Sequence, residues 1–257
     1  MANINMAARP SRPSLDRTAQ AESACIIFAK APIPGEVKTR LCPPLTDDEA
    51  ASLHGSFVLD TLERTKGAVA KHHLSAARYL ACSPSASHVF FQIMEERHGV
   101  TIFDQVGDDL GARMLHAFST VFSRGHRKAL IVGTDVPSHP ADYYRQALTS
   151  LDHYDLMLGP ATDGGYYMIA LKHPRPELFT GIPWSTDQVL KLTRERAEGL
   201  GLKISLLPEW RDVDTLADLQ ALIKASALDS KRPKHEQIFS TRTAGALQFI
   251  GKQLASR

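Results

Sequence analysis

The segment Lys30-Ala-Pro-Ile-Pro-Gly-Glu-Val-Lys-Thr-Arg-Leu41 follows an apolar run and precedes a stretch with helical periodicity. Its two prolines and Gly35 predict a tight loop whose backbone can approach a ligand closely. Lys30, Lys38 and Arg40 bring three cationic side chains to this loop, and ammonium and guanidinium groups bind phosphate oxygens strongly. A strand, a basic loop and a helix in this order indicate a phosphate-binding site, with a solvated basic turn as the alternative.

The composition of the chain indicates a globular protein. The chain has 257 residues, of which 43% are hydrophobic and 23% charged, which is typical of a globular protein with one sizeable core. Its net charge of +2 argues against a dedicated nucleic-acid-binding protein. No apolar run approaches the roughly 18 residues of a membrane span, and the N-terminus lacks a signal-peptide core. We therefore expect a cytoplasmic protein that binds neither nucleic acid nor membranes. The oligomeric state stays open.

The pattern of the chain predicts one globular domain with two tails. We expect a disordered leader over residues 1–22, a globular domain over residues 23–225, and a basic linker with a helical tail over residues 226–257. Apolar strand candidates alternate with helical patterns, which predicts an α/β fold with a mostly parallel central sheet and helices on both faces. The strand candidates lie near residues 24–29, 74–81, 99–103, 128–132, 154–158, 166–170 and 203–207. The helix candidates lie near residues 46–66, 86–96, 110–123, 140–151, 186–199 and 214–225.

Acidic residues follow several of the predicted strands. Asp135 comes after the strand near residues 128–132, Asp163 comes after the next strand, and Asp212 and Asp214 precede the last helix of the domain. Ligands of open α/β sheets bind at the carboxyl ends of the strands. Carboxylate oxygens suit Mg²⁺ or Mn²⁺, which commonly bridge protein carboxylates and substrate phosphates. The alternative for Asp212 or Asp214 is capping of the helix that follows.

Six segments stand out in order along the chain: Lys30 to Leu41, Gln105 to Met114, Gly133 to Pro137, Gly159 to Tyr167, Ile182 to Asp187 and Asp212 to Thr215. Together they resemble a family of bacterial glycosyltransferase-like proteins, DUF2064, which is often labelled an arsenosugar-biosynthesis glycosyltransferase. The resemblance implies a GT-A-like, nucleotide-diphospho-sugar transferase fold, a three-layer sandwich, from about residue 24 to about residue 222.

The same segments are similar to phospholactate guanylyltransferase and related nucleotidyltransferases. That resemblance implies that Asp135 and either Asp212 or Asp214 bind a divalent metal. It also implies a set of phosphate and nucleotide ligands: Lys30, Gly35, Lys38, Thr39, Arg40, Gln105 and Arg113. For Gln105 and Arg113 the alternative is a loop capped by Asp108 or Asp109. The chain departs from the pattern at the inserted Thr134 and at Gly-Gly-Tyr-Tyr, so the acceptor pocket should differ.

Three functions remain open at this point. We favour a metal-dependent glycosyltransferase that moves a sugar from a nucleotide sugar to a small acceptor. In it, Lys38 and Arg40 stabilise the departing diphosphate and Asp163 takes the acceptor proton. A nucleotidyltransferase that uses a nucleoside triphosphate is the alternative, with Asp163 orienting the substrate. A non-catalytic nucleotide-binding module is the third.

The acceptor side of the predicted site is built from residues that follow Asp163. The candidates for substrate contact are Gly164, Gly165, Tyr166 and Trp184. Tyr166 and Tyr167 alternate along a strand, so at most one should face the site. The 11 histidines show no metal-ligand spacing, and we interpret them as surface or packing residues.

Overall fold

The computed structural model describes residues 21–256, so the predicted leader lies almost wholly outside the described residues. The seven strands are β1 Ser23–Lys30, β2 Ala76–Ser83, β3 Thr101–Asp104, β4 Lys128–Gly133, β5 Leu156–Pro160, β6 Tyr166–Leu171 and β7 Ile204–Leu206. The α-helices are α1 Asp47–Lys71, α2 Val89–His98, α3 Leu110–Ser123, α4 Asp142–Ser150, α5 Val189–Gly199, α6 Leu216–Asp229 and α7 Thr241–Ser256.

The strands form one sheet in the order β3-β2-β1-β4-β6-β5-β7. Strand β6 runs antiparallel to both its neighbours, β4 and β5, whereas the other pairs in the described sheet are parallel. The predicted α/β fold with a mostly parallel sheet is confirmed. Because β6 is reversed, the connection between β5 and β6 lies at the same edge as the carboxyl ends of β1 and β4. Loops from three parts of the chain therefore meet there.

The two faces of the sheet each carry an apolar core. In β1, Ile26 and Ile27 are fully buried and belong to different cores, as expected from the alternation of side chains along a strand. The core that contains Ile27 is covered by α1, α2 and α4, and the core that contains Ile26 is covered by α3 and α5. This arrangement is the predicted three-layer sandwich.

The start of each long helix near the site is set by a side-chain cap. Thr46 caps α1 in a capping box with Glu49, and Asp109 caps α3 by accepting from the Ala112 amide at 2.7 Å. Thr215 caps α6 in a capping box with Asp218. Because Thr215 caps this helix, the carboxylates of Asp212 and Asp214 are not used for that purpose.

The C-terminal segment packs on the body of the protein. Helix α6 extends to Asp229, past the predicted boundary at residue 225, because the Asp229 carboxylate accepts from the amides of Ile238 and Phe239 and folds the linker back. Helix α7 then buries Leu247 in a third apolar core with α1, α6 and Leu41. The tail thus supports the end of the basic loop. No helix among the described residues is long and apolar enough to cross a membrane.

Candidate active site

A cleft of about 800 Å³ lies at the carboxyl ends of β1 and β4. Thirteen predicted site residues line it: Lys30, Lys38, Thr39, Arg40, Gln105, Arg113, Asp135, Asp163, Gly165, Tyr166, Trp184, Asp212 and Asp214. Gly35 and Gly164 do not line this cleft. The fold therefore brings most of the predicted site together from widely separated parts of the sequence, although the role of each residue stays a prediction.

The basic loop after β1 turns sharply at two positions. Gly35 has φ of 79° and Lys38 has φ of 52°, a left-handed conformation that is uncommon for a residue with a side chain. A short 3₁₀ turn, Thr39–Leu41, follows, and Leu41 is fully buried. As a result, the two cations of this loop, Lys38 and Arg40, lie in different surroundings. The Lys38 side chain is only 5% exposed, whereas Arg40 is exposed to solvent.

The Lys38 ammonium group lies among acceptors from two other segments. It forms an ion pair with Asp135, lies 3.0 Å from Asp214 Oδ1 and donates to the Val213 carbonyl at 2.8 Å. The backbone joins the same two segments, since the Val213 amide donates to the Asp135 carbonyl at 3.0 Å. The three protons of the ammonium group therefore have three acceptors. In this state Lys38 neutralises two residues that the sequence predicts as metal ligands.

These charges shift one another's pKa. Burial would lower the pKa of Lys38, but Asp135 and Asp214 raise it by more, so the pKa lies above its ordinary value. Burial would raise the pKa of Asp135, but the Lys38 ammonium outweighs it, and the pKa of that carboxyl is lowered. Both groups are therefore charged at neutral pH.

Three carboxylates form a cluster beside this ion pair. Asp163, Asp212 and Asp214 each offer an oxygen, and these oxygens lie within 4.8 Å of one another. Burial raises the pKa of Asp212 to about 6, and the neighbouring Asp163 charge adds to this effect. Thr162 donates the hydrogen bond that holds Asp212, at 3.3 Å. A crowded, all-oxygen donor set of this kind fits Mg²⁺ or Mn²⁺.

The charge of the cleft supports the same interpretation. Its lining contains eight Asp or Glu residues but only four Lys or Arg residues, in the part of the chain that the structure describes. An anionic ligand such as a diphosphate would meet net repulsion in this cleft. A divalent cation would offset part of this negative charge and give phosphate oxygens a positive partner beside the carboxylates.

Gln105 and Arg113 are held by the backbone around them. The Gln105 side-chain amide donates to the carbonyls of Ala81 at 2.9 Å and Ala29 at 3.2 Å, which ties the loop after β3 to β1 and β2. Arg113 Nε donates to the Gly107 carbonyl at 3.0 Å. Gln105 therefore has a structural role through its amide nitrogen, and both side chains still contribute to the cleft wall.

One part of the cleft wall is aromatic, where Tyr166 and Trp184 line it. The Tyr166 ring packs edge-on to Trp184, with ring centroids 6.5 Å apart, whereas Tyr167 lies in the opposite core and donates to the Pro208 carbonyl. The indole of Trp184 lies against Gly111, where a Cβ atom would come within 2.4 Å of the ring nitrogen. A glycine in α3 is thus required for Trp184 to reach its position.

Gly164 brings two loops of the site into contact. Its φ is 89°, and a Cβ atom there would lie 2.2 Å from the Asp187 carbonyl oxygen. The Leu190 amide donates to the Gly164 carbonyl at 2.8 Å, and the Gly165 amide donates to Asp163 at 2.8 Å. Gly164 therefore fixes the loop that carries Asp163, which explains why it does not line the main cleft.

The similarity to other proteins agrees with this architecture. The family model DUF2064, described as an uncharacterized protein conserved in bacteria, matches residues 66–186. A crystal structure from Desulfovibrio desulfuricans G20 described as a "putative nucleotide-diphospho-sugar transferase" is 32% identical in sequence. The alignment covers 92% of this chain and 98% of that chain, with a TM-score of 0.80. The chain belongs to the DUF2064 family.

More distant structures share the fold of this DUF2064 protein. A cytidylyltransferase from Leptospira borgpetersenii is 15% identical, with 92% and 96% of the two chains covered and a TM-score of 0.53. CMP:2-keto-3-deoxy-manno-octonic acid synthetase, solved with CTP, is 11% identical, with 81% and 99% covered and a TM-score of 0.52. The fold is therefore that of nucleotide-diphospho-sugar transferases and nucleotidyltransferases. None of the curated proteins matches the sequence significantly.

Two residues of this DUF2064 member contribute to the site without a motif that marks them. His54 in α1 is 4% exposed; its Nε2 lies 3.1 Å from the Lys30 carbonyl and its Nδ1 lies 4.0 Å from Asp135 Oδ1. Burial lowers the pKa of His54, which keeps the ring neutral. The helical spacing of Ala50, His54 and Val58 was the available signal, since it places all three on the buried face of α1.

Arg64 is the second such residue. Its guanidinium donates to the carbonyls of Pro137 and His139, the latter at 2.7 Å, and to the Ile238 carbonyl at 3.4 Å. Arg64 therefore joins α1 to the loop that carries Asp135 and to the C-terminal segment.

Proposed function

We propose that this protein is a metal-dependent transferase that moves a sugar from a nucleotide sugar to a small acceptor. The observation that carries the proposal is the acidic cluster of Asp163, Asp212 and Asp214 beside the basic loop, in one cleft at the carboxyl edge of the sheet. The description of the 32% identical relative as a nucleotide-diphospho-sugar transferase supports a nucleotide sugar as the donor.

The donor diphosphate would bind at the cationic side of the cleft. Lys30 and Arg40 are exposed there, and Arg113 in α3 lines the same cleft. Guanidinium and ammonium groups form strong charge-assisted hydrogen bonds with phosphate oxygens. These side chains would hold the leaving nucleoside diphosphate and stabilise the charge that develops on it.

Asp212 and Asp214 would hold a divalent cation, and their oxygen ligands suit Mg²⁺ or Mn²⁺. Asp135 is the further candidate ligand, because it pairs with the same Lys38 ammonium group as Asp214. When bound, this cation supplies charge neutralisation for the diphosphate. Lys38 pairs with Asp135 and Asp214, so in a protein whose carboxylates hold a cation its ammonium group would be available to a phosphate oxygen.

The acceptor would enter beside Tyr166 and Trp184. Asp163 is exposed in the cleft, and one of its oxygens accepts from the Gly165 amide, which fixes its orientation. It is the candidate to take the proton from the acceptor hydroxyl as that oxygen attacks the sugar.

Nucleotidyl transfer is a second candidate, which the fold shared with a cytidylyltransferase and with a synthetase solved with CTP supports. The four cationic side chains that line the cleft, together with a bound divalent cation, would meet the triphosphate. In that reaction a substrate phosphate attacks the nucleotide and pyrophosphate leaves, so Asp163 would orient the substrate and no base is needed.

Product analysis separates the two reactions. The full chain is incubated with Mn²⁺ or Mg²⁺ and either nucleotide sugars or nucleoside triphosphates, with a panel of small hydroxyl and phosphate acceptors. We expect release of a nucleoside diphosphate from a nucleotide sugar, lost in Asp135→Ala and kept in Glu96→Gln, a change to an exposed carboxylate of α2 outside the cleft. Release of pyrophosphate from a triphosphate would establish the second candidate. Nucleotide binding without either product would indicate a binding module and overturn the proposal.

A further inference from the structure

His54 presents an unused nitrogen to the cleft. Its Nε2 lies 3.1 Å from the Lys30 carbonyl oxygen, which can only accept, so Nε2 carries the ring proton. In the neutral ring, Nδ1 then has a free lone pair. This nitrogen is buried and has no hydrogen-bond partner among the described residues. A buried acceptor without a donor is costly, which points to a ligand that the lone pair would bind.

The lone pair lies near another electron-rich atom. His54 Nδ1 lies 4.0 Å from Asp135 Oδ1. A lone pair and a carboxylate oxygen cannot hydrogen-bond to each other, but a cation between them would satisfy both. Asp135 already accepts a cation from the protein itself, in the form of the Lys38 ammonium group.

The separation suits two ligands of one ion. Histidine nitrogens and carboxylate oxygens bind Zn²⁺ at roughly 2.0–2.2 Å each, so two such ligands on opposite sides of an ion of this size lie about 4 Å apart. Metal-binding histidines also commonly donate their other ring N–H to a backbone carbonyl, which fixes the ring orientation. His54 makes this second contact through Lys30.

We propose that His54 Nδ1 is a metal ligand beside Asp135, and that this nitrogen makes the site prefer a transition-metal ion such as Mn²⁺ over Mg²⁺. Imidazole nitrogen suits transition metals, whereas Mg²⁺ prefers oxygen ligands and retained water. The inference rests on the metal site of the proposed function but not on which group is transferred. A purely structural His54 would use Nε2 alone and leave Nδ1 without a ligand.

Pulsed electron paramagnetic resonance of the full chain loaded with Mn²⁺ alone tests this directly. We expect nitrogen coupling from one imidazole, lost in His54→Gln, whose side-chain amide can still donate to the Lys30 carbonyl. It should be kept in His153→Gln, which changes an exposed histidine on the loop between α4 and β5. Calorimetry should show Mn²⁺ affinity reduced about tenfold or more in His54→Gln, with Mg²⁺ affinity changed less than twofold.

The outcomes separate this inference from the proposed function. Mn²⁺ that binds without nitrogen coupling would overturn the role of His54 and leave the proposed transferase intact. Nitrogen coupling in a protein that transfers no group would support the His54 ligand and overturn the function. Because the wild-type spectrum alone decides whether nitrogen is bound, the test holds even if His54→Gln fails to fold.

Discussion

The ammonium group of Lys38 lies 3.0 Å from the carboxylate of Asp214, although the two residues are 176 positions apart in the sequence. The same ammonium group pairs with Asp135, so one side chain of the basic loop holds the acidic segments after β4 and before α6 together. A divalent cation bound by these carboxylates would take over that neutralisation. We therefore expect Lys38 and the metal to compete for them.

Lys38→Met should strengthen metal binding and weaken nucleotide binding. Removal of the ammonium group frees Asp135 and Asp214, so Mn²⁺ affinity without nucleotide should rise several-fold. The affinity for a nucleoside diphosphate in the presence of Mn²⁺ should fall at least about tenfold, because a charged hydrogen bond contributes about 1.5–3 kcal/mol. Calorimetric titration measures both affinities.

Arg40→Met is the matched control for this experiment. Arg40 is exposed on the same loop, and the structure gives it no carboxylate partner in the described chain. Its replacement should weaken nucleotide binding without changing the affinity for Mn²⁺. Equal Mn²⁺ affinity in Lys38→Met and the wild type would show that Lys38 and the metal do not compete.

Arg64→Met should destabilise two segments that are distant in sequence. The change leaves the buried carbonyls of Pro137 and His139 without their donor, and each unpaired group costs about 1–3 kcal/mol. We expect a loss of about 3 kcal/mol in urea unfolding, with faster hydrogen exchange at residues 134–139 and 236–240. Arg64→Lys should recover part of the loss, and Arg145→Met on the surface of α4 should cost little. Faster exchange confined to α1 would refute this role for Arg64.

His139 should make the protein less stable as the pH falls. The side chain is fully buried, and burial lowers its pKa to about 3, with the Arg64 charge adding to the effect. In the unfolded chain the imidazole has a pKa of about 6.5, so below that pH only the unfolded state takes up the proton. The titration of His139 therefore leaves the free energy of unfolding unchanged above pH 6.5 and lowers it progressively as the pH falls from 6.5 toward 3.

The expected size of this pH effect follows from the difference between the pKa values of His139 in the folded and unfolded states. At pH 5 the contribution of His139 to the free energy of unfolding should be about 2 kcal/mol smaller than at pH 7. Urea unfolding of the wild type and of His139→Gln at both pH values gives the difference directly. The variant should lose less stability between pH 7 and pH 5. Parallel losses in the two proteins would mean that another group causes the pH dependence.

Gly164→Ala should disturb the loop that carries Asp163. The residue has φ of 89°, and the added Cβ atom would lie 2.2 Å from the Asp187 carbonyl oxygen, so backbone must move. We expect a loss of about 2 kcal/mol or more in the free energy of unfolding. Gly245→Ala is the control, because a Cβ atom there meets nothing within 4 Å, and alanine in helix α7 should stabilise by up to about 1 kcal/mol. Similar losses in both variants would contradict this reasoning.

Local patterns in the sequence were enough to predict an α/β fold with a mostly parallel sheet, whereas the GT-A-like architecture was implied by the family resemblance. The alternation of apolar strands with helical stretches gave all seven strands. The end of α6 was harder to predict, because the helix is extended by a contact between Asp229 and the amides of Ile238 and Phe239. Such contacts join residues that become neighbours only in the folded chain, so local sequence patterns do not reveal them.

In the candidate site, too, local motifs were predictable and contacts between distant segments were not. The motifs predicted that Asp135, Asp163 and Asp214 lie close together, since the carboxyl ends of parallel strands share an edge. All three line one cleft in the structure. The pairing of Lys38 with two of these carboxylates could not be predicted, because it depends on a left-handed turn and on contacts across the whole chain. His54 lacked any motif, and only its place on the buried face of α1 distinguished it from other histidines.

Thermal unfolding of the full chain tests the central claim most directly, with Mg²⁺ or Mn²⁺ and panels of nucleotide sugars, nucleoside diphosphates and nucleoside triphosphates. A ligand that binds only the folded state raises the melting temperature. We predict that one nucleotide sugar and its diphosphate product raise the melting temperature, and that a metal chelator removes most of the rise. No metal-dependent rise with any nucleotide sugar, or a rise with a triphosphate alone, would contradict the proposed glycosyl transfer.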